Sequence, residues 1–341
     1  MELGDAANSK KLWINSLVSP HECLVESKGD YNNNYFRKSA DIMKAYLDQY
    51  DVGQGLFDIA WKDEHAVSNR LFVLCAFIHH LVGVVETSLS QIELLYHAER
   101  HAQWLSRDEH YVKNNHGVMM DLSLAQYSVL IRDVDPRQAD FYLEVALRRL
   151  SMMLNDTFGS QGCCTENSPT YHFVNYSLFR SIFSFIKEYA KGFDLNEWGE
   201  KLAKAKGGGA LLLRPDGTLP LIGESESRSG NFFPHIEPEL SKGIGYYPEA
   251  GLLVLSDDNI CFSFRAGGTK YSHRHVDDLS ITLWAHGKDF IVDSGLYNYD
   301  GGDKLRRRFI SAISRFVWMA WNWVMRARHQ MLWCRVRLAG G

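Results

Sequence analysis

The hydrophobic period of this chain changes once along its length, and that change limits the fold more than any other feature. Apolar residues recur at three- and four-residue spacing in FRKSADIMKAYLDQY (36–50), AVSNRLFVLCAFIHHLVGVV (66–85), LSQIELLYHAERHAQWL (89–105), GVMMDLSLAQYSVLI (117–131), FYLEVALRRLSMML (141–154) and YHFVNYSLFRSIFSFIKEYA (171–190). That spacing lines one face of an α-helix. After the triple glycine at 207–209 the pattern shortens to AGLLVLSD, ICFSFRAG, LSITLWAHG and DFIVDSG, bounded by Gly, Asp and Asn. Short runs of this kind read as antiparallel strands, with HGKD (286–289) as a tight turn between two of them. Helices first and strands afterwards argue against an alternating α/β sheet and for an α+β multidomain protein. Short links between the helical segments predict successive antiparallel helix pairs. RPDGTLPLIGESESRSGN (214–231) reads as a turn-rich linker. No fixed-length repeat supports a solenoid.

A chain of 341 residues can bury two ordinary cores. Its net charge of −4 conceals an asymmetry. Nine of the 37 Lys and Arg follow Asp303, and none of the 41 Asp and Glu do, so residues 1–303 carry −13. An acidic body is a poor non-specific binder of nucleic acid, and it does not steer a polyanion from a distance. Recognition of an acidic sugar must then be local. From about Ser314 the sequence holds four of the nine tryptophans, several Arg and no acid. We read this tail as a truncated or frameshifted C-terminus rather than as a basic amphipathic helix for a membrane surface. Cysteines at 23, 75, 163, 164, 261 and 334 fit no zinc-cluster spacing, and adjacent Cys163 and Cys164 are a poor disulfide pair. The opening MELGDAANSKKLWINSLVSP lacks a signal-peptide apolar run, and no apolar run is long enough to span a bilayer. The chain as written is therefore expected in the cytoplasm, with no membrane span.

Several segments carry groups able to do chemistry. In KNNHG (113–117), Asn114 or Asn115 can cap the helix that begins near Gly117. Alternatively Asn115 and His116 project from a helix N-terminus, where amide, imidazole and dipole together stabilise negative charge. In TENSPTYHF (165–173), Ser168 is the expected N-cap and Pro169 the first helical residue. Tyr171 and His172 follow in the first turn, either as core or as acid, base and contact residues, with Glu166 orienting a neighbour or binding sugar hydroxyls. A phenol needs cationic or hydrogen-bonding help to act as a base near neutrality. HRHVDD (273–278) is expected at the start of a strand, where His273, His275 and Asp277 share a face. If the flanking strands pair around HGKD, Asp293 approaches His275 and forms half of a metal site. In WKDEHAVSNR (61–70), Glu64, His65 and Arg70 either line the same cavity or form a polar helix start.

Taken together, WKDEHAVSNR, NNHG, TENSPTYH and HRHVDDLSITLWAHGKDFIVDSGLYNY resemble the heparinase II/III family of polysaccharide lyases. The resemblance implies an (α/α) toroid, here residues 1–238, then an antiparallel β-sandwich begun over 239–313, with 314–341 an aberrant tail. It implies β-elimination of a uronate-containing polysaccharide, such as a glycosaminoglycan or alginate. Asn115 and His116 would neutralise the uronate carboxylate. Tyr171 would act as acid or base, and His273 as base or substrate contact. Glu64, His65, Arg70, Glu166 and His172 would bind substrate. His275 and Asp293 would ligate zinc, whose third ligand normally comes from an H-N-T motif that this chain lacks. A tyrosine frequent on the family's Arg-rich strand is replaced by Phe309 or missing. Relatives commonly work in the periplasm or outside the cell. Two other readings use the same residues. A glycoside hydrolase needs two carboxylates flanking the scissile bond, with Glu64, Asp121 and Glu166 as candidates. A non-catalytic sugar-binding remnant needs neither acid nor base.

Overall fold

A computed structural model describes residues 8–27, 30, 33–81, 88–190, 193–226, 241–270, 272–275 and 277–296. The chain forms two compact units, Met1–Met153 and Leu154–Gly341. The expected boundaries at 238/239 and 313/314, the tail from Ser314 and Phe309 lie outside the described residues.

The first unit is helical. It holds α1 (Asn8–Asn15), α2 (Val18–Glu26), α3 (Asn34–Leu47), α4 (Glu64–His80), α5 (Gln91–Ser106), α6 (Asn115–Ile131) and most of α7 (Pro136–Thr157). Side-chain oxygens cap the helices that matter for the site. Asp63 accepts from the Ala66 amide at 2.8 Å at the head of α4, and Asn114 accepts from the His116 amide at 2.9 Å at the head of α6. The central helix α4 packs against both α5 and α6 and buries Val67, Leu71, Leu74 and Phe77 completely. Its Arg70 is also fully buried. The guanidinium donates to the Asn15 carbonyl at 2.9 Å, to His101 Nε2 at 2.8 Å and to the Ala60 carbonyl. Because Nε2 accepts, the His101 proton sits on Nδ1 and is donated to the His97 carbonyl. Burial and the Arg70 charge push the His101 pKa well below its ordinary value, so this ring stays neutral.

The second unit takes in the end of α7, then α8 (Pro169–Tyr189) and α9 (Asn196–Leu212). Then come β1 (Gly243–Tyr247), β2 (Leu252–Ser256), β3 (Ile260–Arg265), β4 (Ile281–Ala285) and β5 (Lys288–Ile291). The strands form one antiparallel meander in sequence order. Among the described residues β1 is the strand that the apolar pattern did not reveal. At the β4–β5 turn both His286 (φ 48°) and Gly287 (φ 79°) are left-handed, the geometry of a two-residue hairpin turn that follows sheet twist. The triple glycine does not end the helical region: it lies inside α9. Side chains would not fit at its last two positions, since a Cβ on Gly208 meets the Gly162 carbonyl oxygen at 2.9 Å and one on Gly209 meets His172 Nε2 at 2.7 Å.

One face of the sheet carries buried Tyr247, Leu252, Val254, Cys261 and Trp284, which pack with Leu212, Leu213, Leu219 and Ile222. On the other face two apolar rows run across the paired strands. They are Ile244–Leu255–Phe262–Leu283–Ile291 and Tyr246–Leu253–Phe264–Ile281. Every residue in both rows is half-buried or exposed. The described strands thus make one sheet, with a second face as apolar as a sandwich interior. No described helix is long and apolar enough to cross a membrane.

Candidate functional site

Expected site residues gather in two clusters, one in each unit. In the second unit the cluster forms where α8 begins. Ser168 caps the helix by accepting from the Tyr171 amide at 3.4 Å, and Pro169 takes the first helical position, as the sequence predicts. Tyr171 then presents its ring to His273, with ring centroids 3.3 Å apart and planes 13° from parallel. His273 Nδ1 lies 2.8 Å from Glu224 Oε2, and its Nε2 lies 3.7 Å from Glu166 Oε2. The His273 side chain is 19% exposed, against 3% for Glu166 and 7% for Glu224. An imidazole with an outlet to solvent is thus held between a phenol face and two nearly buried carboxylates.

The backbone that delivers His273 differs from the expected strand. The described residues among 272–280 form no strand, and β4 starts only at Ile281. His273 has φ 54°, a left-handed conformation uncommon for a residue with a Cβ. The alternation that would set His273, His275 and Asp277 on one face therefore does not apply. Neighbouring groups hold the turn in place. Asn167, itself at φ 64°, donates through Nδ2 to the Lys270 and Ser272 carbonyls, both at 2.9 Å. Its Oδ1 accepts from buried Arg265 at 2.6 Å, and Arg265 also binds Asp277 at 2.9 Å. The Glu224 amide donates to the His273 carbonyl at 3.2 Å.

In the first unit the heads of α4 and α6 meet. His116 Nδ1 lies 2.9 Å from Glu64 Oε1, and the His65 and His116 rings are 4.7 Å apart. Asn114, not Asn115, is the N-cap, which leaves the Asn115 amide side chain at the first helical position. Glu64, His65, Asn115 and His116 are all half-buried. Burial lowers the His65 pKa first, and neighbouring His116 lowers it further. Helix N-termini attract anions, so this cluster suits a carboxylate.

Other expected residues lie elsewhere. Arg70, enclosed by Asn15, Ala60 and His101, braces the core of the first unit and does not line a cavity with Glu64. His172 is likewise buried. Its Nδ1 accepts from the Cys164 amide at 3.1 Å, so Nε2 carries the proton, donated to the Ala205 carbonyl at 3.0 Å. Burial lowers its pKa to about 4, and it joins α8 to α9 as a neutral ring rather than touching substrate. Glu166 accepts from Asn175 at 3.1 Å and stands behind His273 rather than in the open. Asp121 is sequestered between the Tyr111 hydroxyl, at 3.0 Å, and Arg149, at 3.6 Å. Its burial raises its pKa well above the carboxylate range.

His275 and Asp293 are both buried. Asp293 accepts from the Ser280 hydroxyl at 2.7 Å and the Gly295 amide at 3.3 Å. His275 Nδ1 and Asp277 Oδ2 are buried without a hydrogen-bond partner, which a cation would relieve. Burial raises the Asp277 pKa, Arg265 opposes the rise, and Asp293 adds to it. No three of His, Cys, Asp and Glu among the described residues form a group able to hold a metal. These residues alone do not complete a zinc site.

Sequence reasoning missed Glu224 because it lies in the segment read as a linker. The signal was present in LPLIGE: an apolar run has no reason to exist in a solvated linker, and Leu219 and Ile222 are indeed buried. Gly223 places the next residue. It has φ 56°, and a Cβ there would meet the His273 carbonyl oxygen at 2.8 Å.

Residues 240–314 match the family model described as heparinase II/III-like, C-terminal. A crystal structure of a mutant of heparan sulfate lyase HepC from Pedobacter heparinus shares the fold, at TM-score 0.66 and 18% identity over 86% of this chain and 51% of that one. A crystal structure of heparinase III gives TM-score 0.67 and 16% identity over 86% of this chain and 52% of that one. At these identities the likeness is one of fold, and this chain spans about half the length of the solved structures it matches. No curated protein matches it.

Proposed function

We propose that this chain, heparinase II/III-like over its C-terminal domain, is a polysaccharide lyase that cleaves an acidic glycosaminoglycan by β-elimination. The observation that carries this reading is the Tyr171–His273 stack with a carboxylate behind each imidazole nitrogen. Elimination needs a base for the C5 proton of the uronate and an acid for the departing O4. His273 takes the C5 proton at Nε2. The C5–H electron pair becomes the C4=C5 double bond, the C4–O4 bond breaks, and the Tyr171 hydroxyl gives its proton to O4. Asn115 and His116, at a helix N-terminus, neutralise the uronate carboxylate, which acidifies C5. Glu64 orients His116 through Nδ1, and His65 completes that cluster.

Hydrolysis by paired carboxylates is disfavoured by the same contacts. Asp121 is enclosed by Tyr111 and Arg149, and Glu166 is held by Asn175. The lyase reading predicts that Tyr171→Phe loses about 10²–10⁴-fold in kcat, the range for a general acid or base. It predicts that His116→Ala loses about 10²–10³-fold, as for an electrostatic stabiliser of a developing anion. Full activity in folded Tyr171→Phe would remove the proposal. We also propose His275 and Asp293 as two zinc ligands, with His275 Nδ1 the open donor. Elemental analysis of purified protein tests this: bound zinc that is lost in His275→Ala supports the pair, and protein free of zinc after zinc loading rejects it.

A further inference from the structure

We infer that Glu224 is the positioning residue of His273: its carboxylate holds the proton on Nδ1 and so reserves Nε2 for proton exchange. This rests on the lyase reading above, in which His273 handles a proton. A histidine free in water favours the opposite tautomer, with the proton on Nε2. Which nitrogen carries it in a protein is set by the bond the other makes. Glu224 Oε2, 2.8 Å from Nδ1, can only accept when ionised, so it fixes the proton there.

Three features build this contact. Gly223 allows the chain to pass the His273 carbonyl oxygen at a separation no side chain would permit. The Glu224 amide then donates to that same carbonyl, so backbone and side chain of one residue clamp backbone and side chain of the other. Ser225, next in sequence, places its hydroxyl 2.9 Å from Ser168 Oγ, the cap of α8. The segment 223–225 therefore ties the left-handed turn at His273 to the helix that carries Tyr171. Glu166 also faces this imidazole, but at 3.7 Å from Nε2 and already accepting from Asn175. It supplies charge rather than direction.

Two variants separate positioning from bulk. Glu224→Met keeps the length and removes the acceptor, whereas Glu224→Gln keeps an amide oxygen that accepts from Nδ1–H. Nitrogen-15 spectra of histidine-labelled protein, with His273 assigned by its loss in His273→Gln, report the tautomer directly at a pH where the rings are neutral. Wild type and Glu224→Gln are expected to hold the proton on Nδ1, and Glu224→Met to shift it to Nε2. On an acidic glycosaminoglycan, Glu224→Met should lose about 10–100-fold in kcat, with KM within about threefold, and Glu224→Gln should recover most of the loss. Glu224→Ala makes the same comparison if Glu224→Met does not fold. An unchanged tautomer or unchanged kcat in the acceptor-free variant overturns the inference. If wild type itself makes no unsaturated product, the lyase reading falls, and the spectra still decide the role of Glu224.

Discussion

At the scale of single residues, three histidines in this chain meet two fates, decided by their partners rather than by their type. His273 sits between two carboxylates with an outlet to solvent, whereas His101 and His172 are neutral struts, each donating from one nitrogen and accepting at the other. His172 makes a prediction about stability. Its folded pKa, about 4, lies below the ordinary 6.5. Between these values the unfolded chain binds a proton that the folded chain refuses, so stability falls as pH drops from 6.5 towards 4. The contribution is at most about 3 kcal/mol, from the free energy equivalent of such a shift. Denaturant unfolding at pH 7 and near the lower bound should show a steeper loss in wild type than in His172→Gln, which lacks this proton. Parallel losses would contradict the account. The sequence placed His172 beside Tyr171 in a first helical turn, but it could not tell that one residue faces an imidazole and the next faces α9. That distinction depends on tertiary neighbours remote in sequence, such as Ala205.

At the scale of elements, period and caps were legible and glycine was not. The six long helical runs appear as α3 to α8, and Asn114, Ser168 and Pro169 act at the helix ends where their chemistry suggests. Three glycines in a row read as a break because each costs about 1 kcal/mol relative to alanine in a helix. They lie inside α9 because two of them lie against other backbone and ring atoms. This gives opposite signs for neighbouring substitutions. Gly207 is exposed with nothing within 4 Å of a built Cβ, so Gly207→Ala should stabilise by about 0.5–1 kcal/mol. Gly209→Ala, whose Cβ would press on His172 Nε2, should destabilise despite the same gain in propensity. Thermal melts of the two variants check the pair, and a shift of the same sign in both would refute the packing explanation. The HRHVDD segment fails in the other direction. It resembles a strand by composition, yet its left-handed His273 is imposed by Asn167 and Glu224, which lie 106 and 49 residues away by their numbers in the chain.

At the scale of the whole molecule, the order of helices before strands was the legible part. The site was legible as residue types at helix starts, because Asn, His and Tyr beside a cap signal their position locally. Its assembly was not legible, because Glu224 and Arg265 act through contacts that no local pattern encodes. The role proposed for the Tyr171–His273 pair is elimination rather than hydrolysis. The most direct test is the product formed from an acidic glycosaminoglycan in water enriched in oxygen-18. The account predicts oligosaccharides ending in an unsaturated uronate, visible by ultraviolet absorbance, without heavy oxygen at the new ends and formed about 10²–10⁴-fold more slowly by Tyr171→Phe. Saturated products carrying the heavy oxygen would contradict it.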